Sequence, residues 1–138
     1  AKKGLIEIKE NGICNSPFID AYLTPKVQFK KSKEISPIAN ACIDISDGLL
    51  NDLGHICKQS GVGANIYIDD IPITTDIMDL TYGDDYELCF TISKDKSFKY
   101  AEGEYFKIGT IIDSNEINIF DKGKPIEMKT RGWDPFKK

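Results

Sequence analysis

One junction in this chain changes its hydrophobic period, and the other elements are most easily placed around it. Ala41, Ile43 and Ile45 alternate with Cys42, Asp44 and Ser46, so an extended segment sends the first set to one side and the second to the other. From Asp47 onward the apolar residues fall at Leu49, Leu50, Leu53, Ile56 and Cys57, the stripe of an amphipathic helix. This spacing predicts a strand that becomes a helix, with Ser46 as N-cap and Asp47 and Gly48 in the first turn.

Upstream, residues 5–10 read as a short helix stopped by Asn11-Gly12. Ser16-Pro17 opens a second, with Phe18, Ile19, Tyr22 and Leu23 as its apolar face and Thr24-Pro25 as its end. Residues 26–33 alternate only through Val27 and Phe29, which predicts a short edge strand or a lysine-rich connector. Downstream, Ser60-Gly61 stops the central helix, and Ala64, Ile66 and Ile68 alternate as a strand. Thr74-Thr75-Asp76 reads as the cap of a short helix through Leu80. Tyr86, Leu88, Phe90 and Ile92 then alternate with Glu87, Cys89 and Thr91. A helix is expected over 97–102, and strands over 106–112 and 117–120. Asp121-Lys122-Gly123-Lys124 turns the chain back toward Ile126 and Met128 as a hairpin. Strands mixed with helices and one hairpin predict an α+β fold with a mixed or mainly antiparallel sheet.

Composition narrows the class. A chain of 138 residues with 41% hydrophobic content is long enough for one domain with a buried core. Its formal charge of -4 argues against nucleic acid as a partner, and the lysines of 26–33 and the C-terminus read as solvated surface. No run approaches a membrane span and no signal-peptide pattern opens the chain, so the expected location is cytoplasmic. Cys14, Cys42, Cys57 and Cys89 are widely spaced, which points to reduced thiols instead of disulfides or zinc.

Several chemistries lack their motifs. There is no phosphate-binding loop, dinucleotide fingerprint or nucleophile elbow, and the single histidine, His55, stands without a metalloprotease pattern and reads as a surface or interface residue. The stretch D-I-S-D-G-L fails as a calcium loop because its glycine comes too early and no glutamate closes it.

Two acidic strand ends remain, Asp44 to Asp47 and Asp84-Asp85 with Glu87, together with Trp133 in an aperiodic tail. At the first, carboxylates for a hard cation lie beside free backbone N–H groups suited to a phosphate; the same residues also serve as ordinary helix caps. An acid such as Asp44 within an apolar strand asks for a partner. Asp84-Asp85 reads either as a solvated turn or as part of a magnesium and phosphate site. Trp133 reads either as a cover over the sheet or as a platform for a flat or cationic ligand.

At four blocks the sequence resembles a known family. I-D-I-S-D-G-L-x-x-D-L-G-H-I at 43–56, S-G-V-G-A at 60–64, G-D-D-Y-E-L-C-F-T at 83–91 and R-G-W-D-x-F at 131–136 resemble the C-terminal part of thiamine-monophosphate kinase. The resemblance implies the C-terminal domain fold shared with aminoimidazole ribonucleotide synthetase, often called PurM-like. It implies transfer of the γ-phosphoryl group of ATP to thiamine monophosphate, giving thiamine diphosphate, with Mg2+ as cofactor. On that match Asp44 and Asp47 would be metal ligands, Ser46 an ATP contact, and Asp84 and Trp133 substrate contacts, with no residue of this chain acting as a catalytic acid or base. The family pattern places an ATP-binding N-terminal domain before this region and forms a homodimer, so residues 1–138 are expected to be a C-terminal domain that is inactive alone. Three positions depart from the pattern: Tyr82-Gly83 replaces paired glycines, Asp84 replaces a glutamate, and Pro135 replaces a histidine. The rival expectation is a non-catalytic module that binds a metal or a phosphate ligand.

Overall fold

The computed structural model describes residues 1–73, 75–96, 104–130 and 132. The chain begins with a helical hairpin formed by α1 (Lys2–Asn11) and α2 (Pro17–Leu23). Ser16 is extended and its Oγ accepts the Phe18 N–H at 3.2 Å, while Pro17 occupies a first-turn position where a missing N–H costs nothing. The two helices approach closely at Gly4, where a Cβ would lie 2.1 Å from the Phe18 carbonyl oxygen. The Lys3 ammonium stands 3.7 Å from the centre of the Phe18 ring.

Residues 29–35 form a third helix, α3 (Phe29–Ile35), where the sequence predicts an edge strand or a connector. Tertiary contacts account for the difference. Ile35 at the helix end is fully buried, and Gln28 and Lys31 both bond Glu87, each at 2.9 Å. The lysine cluster is therefore not only solvated surface.

The central helix, α4 (Leu49–Ser60), ends at Gly61 in the left-handed conformation. Leu49, Leu50, Leu53, Ile56 and Cys57 are buried along one side, as their period requires. Two sheets supply the opposing surfaces. The first is a ribbon of β1 (Ala39–Asp44) antiparallel to β3 (Leu88–Ile92), with Ile43 opposite Cys89 and Asp44 opposite Leu88. The second has the order β4-β2-β5-β6, in which β2 (Gly63–Tyr67) runs parallel to β5 (Ile117–Asp121) and antiparallel to β4 (Gly109–Ile112). Its outer strand β6 (Lys124–Ile126) returns antiparallel through the expected hairpin, whose central residues Lys122 and Gly123 both have positive φ, 49° and 75°. The result is an α+β fold with a mixed sheet, as the sequence predicts. Cys89 from β3, Ala64 and Ile66 from β2 and Ile119 from β5 join the α4 leucines in one core.

Between β2 and β3 the chain makes two short 3-10 turns, Ile68–Asp70 and Ile77–Thr81. Asp76 caps the second by accepting the Met78 N–H at 2.7 Å. The strand expected over 106–112 begins only at Gly109, and the helix expected over 97–102 lies outside the described residues. All four cysteines are free thiols, Cys57 and Cys89 buried and Cys14 and Cys42 exposed. Burial pushes the Cys89 thiol up to about 12.

Candidate active site

Asp44 is the last residue of β1 and Leu49 the first of α4, leaving residues 45–48 as the turn between them. Gly48, not Ser46, is the N-cap, and Asp47 lies outside the first helical turn. The geometry selects glycine twice over. Its φ is +117°, and a Cβ there would lie 2.8 Å from the Thr81 carbonyl carbon.

Among the described residues no side chain caps α4; an acid within the helix instead holds the turn that precedes it. Asp52, only 2% exposed, reaches back so that its Oδ2 accepts the N–H groups of both Ser46 and Asp47, each at 3.0 Å. The Ser46 and Asp47 N–H groups are therefore already taken and are not among the free donors expected for a phosphate. A signal for Asp52 existed in the sequence: it lies three residues after Leu49 and four before Ile56, an acid on the core-facing stripe.

The second acidic strand end docks on the first. Beyond the paired residues Asp44 and Leu88, the Ile45 N–H donates to the Glu87 carbonyl at 2.9 Å and the Tyr86 N–H to the Ile45 carbonyl at 2.8 Å. The Asp84 N–H then donates to the Ser46 carbonyl at 3.0 Å. This seam holds Asp84 and Tyr86 at φ values of 64° and 52°, a region that costs an L-residue roughly 1–2 kcal/mol. Asp84 and Asp85 are exposed, but the turn is fixed to residues 45–46 and is not a free solvated loop. The tail reaches the same place: a Cβ on Gly132 would lie 2.5 Å from the Asp47 carbonyl oxygen and 2.7 Å from the Asn51 Cβ. Trp133 itself lies outside the described residues.

Three of the sequence blocks thus meet at the backbone of Ser46 and Asp47. Asp44 and Asp84 are exposed and Asp47 half-buried, and among the described residues no hydrogen bond or ion pair engages the carboxylates of Asp44 and Asp47. The Tyr86 hydroxyl donates to Asp84 Oδ1 at 3.3 Å. The charge of Asp84, then partial burial, this hydrogen bond and the charges of Asp44 and Asp47 push the Tyr86 phenol above its ordinary value. One phenol therefore feels all three acids. Their oxygens are hard donors, and a negative field of this kind fits a small divalent cation such as magnesium. On the other side of the turn, ligand atoms of Asp47, Asp52 and the exposed His55 lie within 4.8 Å of one another.

A cavity of about 430 Å³ opens beside Asp44. Tyr86 and Leu88 form one wall, and Lys26, Val27, Phe29 and Ser32 the other. Glu87 holds that second wall in place through Gln28 and Lys31.

Residues 1–122 match the family described as AIR synthase related protein, C-terminal domain. The chain belongs to this family. It is 38% identical over 148 residues to the thiamine-monophosphate kinase of Buchnera aphidicola subsp. Schizaphis graminum, an alignment that covers 94% of this chain and 45% of the relative. It is 32% identical over 136 residues to that of Salmonella typhimurium, covering 86% of this chain and 42% of the relative. Among solved structures, AaThiL complexed with AMPPCP and TMP superposes with a TM-score of 0.77 at 27% identity, covering 96% of this chain and 47% of that one. Thiamine monophosphate kinase from Aquifex aeolicus gives 0.70 at 27% identity, covering 91% and 47%. The chain spans about half the length of the relatives it matches. No helix among the described residues is long and apolar enough to cross a membrane.

Proposed function

We propose that this chain is the C-terminal domain of a thiamine-monophosphate kinase and contributes one half of its phosphoryl-transfer site. The observation that carries the reading is the convergence of residues 44–47, residues 83–87 and Gly132 on one acidic turn. The relatives' names, and the AMPPCP and TMP bound in the AaThiL structure, support it.

In this reading Asp44 and Asp47 hold Mg2+, Ser46 meets the ATP phosphates through its hydroxyl, and Asp84 and Trp133 contact thiamine monophosphate. Ser46 uses its hydroxyl because Asp52 already accepts its N–H. Bound magnesium neutralises the charge of phosphates brought together for transfer. The remaining task of these residues is positioning. The acceptor phosphate is itself an anionic nucleophile, so in-line alignment and electrostatic stabilisation matter more than a general base. Asp84 is one methylene shorter than the glutamate of the family pattern, and its left-handed backbone, fixed to Ser46, sets the direction from which it reaches the substrate. An N-terminal ATP-binding domain supplies the other half of the site, and the whole protein forms a homodimer. The proposed location is the cytoplasm.

The test is ATP-dependent formation of thiamine diphosphate by the full-length polypeptide carrying this sequence, compared with the 138-residue chain by itself. Product from the first and none from the second is expected. No product from the full-length polypeptide overturns the kinase reading, and product from the short chain overturns the division of the site.

A further inference from the structure

We infer that Asp52 is a positioning residue, whose buried carboxylate sets the turn that aims Ser46 and Asp47 at the ligand. The inference rests on the kinase reading for its function but on the geometry of this chain for its substance. Backbone bonds to residues 84–87 fix Ile45 and the Ser46 carbonyl, but among the described residues no backbone acceptor takes the N–H groups of Ser46 and Asp47, which lie between two acidic strand ends. A single oxygen, Asp52 Oδ2, takes both of the turn's consecutive N–H groups at 3.0 Å. The helix that carries this oxygen is anchored in the core by Leu49, Leu50 and Leu53 on either side of it. The turn is thus tied to a helix buried in the core.

The arrangement also fits the electrostatics of a helix start. Asp52 places a carboxylate at the positive end of α4, where the Asn51 and Asp52 N–H groups close the first turn on the Gly48 carbonyl at 3.0 and 2.9 Å. An exogenous phosphate cannot displace it without breaking two charge-assisted hydrogen bonds inside a buried site. Asp52 therefore acts as a built-in anion. It closes the Ser46 and Asp47 N–H groups to the nucleotide and leaves the side chains of these two residues as their binding groups.

The geometry makes a specific distinction between shape and charge. Because one oxygen accepts both bonds, the amide oxygen of Asn can replace it, whereas the apolar isostere Leu cannot. The experiment compares Asp52→Asn and Asp52→Leu with the wild-type chain by amide hydrogen exchange at Ser46 and Asp47, Mg2+ titration and thermal melting. Asp52→Asn is expected to keep the exchange protection and the Mg2+ affinity. Asp52→Leu is expected to melt cooperatively, to lose protection at both amides, and to weaken Mg2+ binding by about 10- to 100-fold, the usual effect of removing a group that orients a metal ligand. Unchanged protection and affinity in Asp52→Leu overturn the inference. So does an Asp52→Asn chain that keeps protection but loses Mg2+, since the carboxylate would then be a ligand and not a positioning group. If Asp52→Leu fails to fold, Asp52→Ala removes the same acceptor without filling the site, and unchanged protection and affinity in it overturn the inference in the same way. A wild-type chain that binds no Mg2+ counts against the kinase reading, while exchange at Ser46 and Asp47 still tests Asp52.

Discussion

Gly83 lies against Ser46 so closely that a Cβ on it would be 2.0 Å from the Ser46 carbonyl oxygen. That oxygen is the acceptor of the Asp84 N–H, so the contact joins the two acidic strand ends. Both partners are backbone, and neither can move aside as a flexible side chain would. Gly83→Ala is therefore expected to destabilise the chain by about 1–3 kcal/mol, the usual cost of overpacking. It should also separate Asp84 from residues 44–47. Urea denaturation checks the first effect, and loss of the Asp84 amide's exchange protection checks the second.

The core makes a separate demand. Leu50 is only 1% exposed and lies among Leu53, Leu80 and the strands beneath α4. Leu50→Ala should cost about 2–5 kcal/mol through lost burial and the cavity left behind. A denaturation midpoint within error of wild type would show that α4 does not organise this core.

Tyr86 reports on the acidic turn. Its phenol is held above the ordinary value of 10.0, first by Asp84 and further by Asp44 and Asp47. For an acid, a raised folded-state value favours the protonated form, so this contribution to stability is present below the unfolded value and is lost as pH rises through the folded one. Asp84→Asn should bring the Tyr86 titration down toward 10.0, read as the tyrosinate absorbance that disappears in Tyr86→Phe. Calcium, which stays soluble at such pH, should lower it in the wild type by screening the same charges. A titration unchanged by Asp84→Asn would separate Tyr86 from the cluster.

The fold was legible where local chemistry decides it. Ser16-Pro17, the α4 stripe, Gly61 and the turn at Lys122-Gly123 each act within a few residues, and each stands where the sequence predicts. Helix α3 was not legible, because its support comes from Glu87, the residue before β3 and more than fifty residues away. The turn at residues 45–48 misled for a related reason. Serine is the better cap by preference, but the close approach of Thr81 requires glycine at the cap position, and that contact exists only in three dimensions. Asp52 was visible as an acid on an apolar stripe, although its partners were not. The period-two run expected from Tyr86 to Ile92 is a strand only from Leu88, because Tyr86 has a left-handed backbone; Cys89 is the buried member, while Tyr86 and Leu88 line the cavity beside Asp44.

The 3-10 turn ahead of β3 gives a pH prediction. The Lys2 ammonium, 2.7 Å from Asp76, and then the Met78 N–H hold the Asp76 carboxyl below its ordinary value of 3.8. A depressed value contributes stability that is present above 3.8 and is lost as pH falls through the folded-state value. Asp76→Asn should therefore lower the urea midpoint near neutrality and converge with wild type in strong acid. Parallel curves at every pH would contradict this.

If the acidic turn is half of a magnesium-dependent phosphate site, calorimetry of the 138-residue chain with thiamine diphosphate and Mg2+ will register binding. Binding should require Mg2+, be abolished in Asp44→Asn and Asp47→Asn without loss of thermal stability, and be weakened in Trp133→Ala. Binding that is indifferent to Mg2+, or equal in all three variants and the wild type, would contradict this reading of the turn.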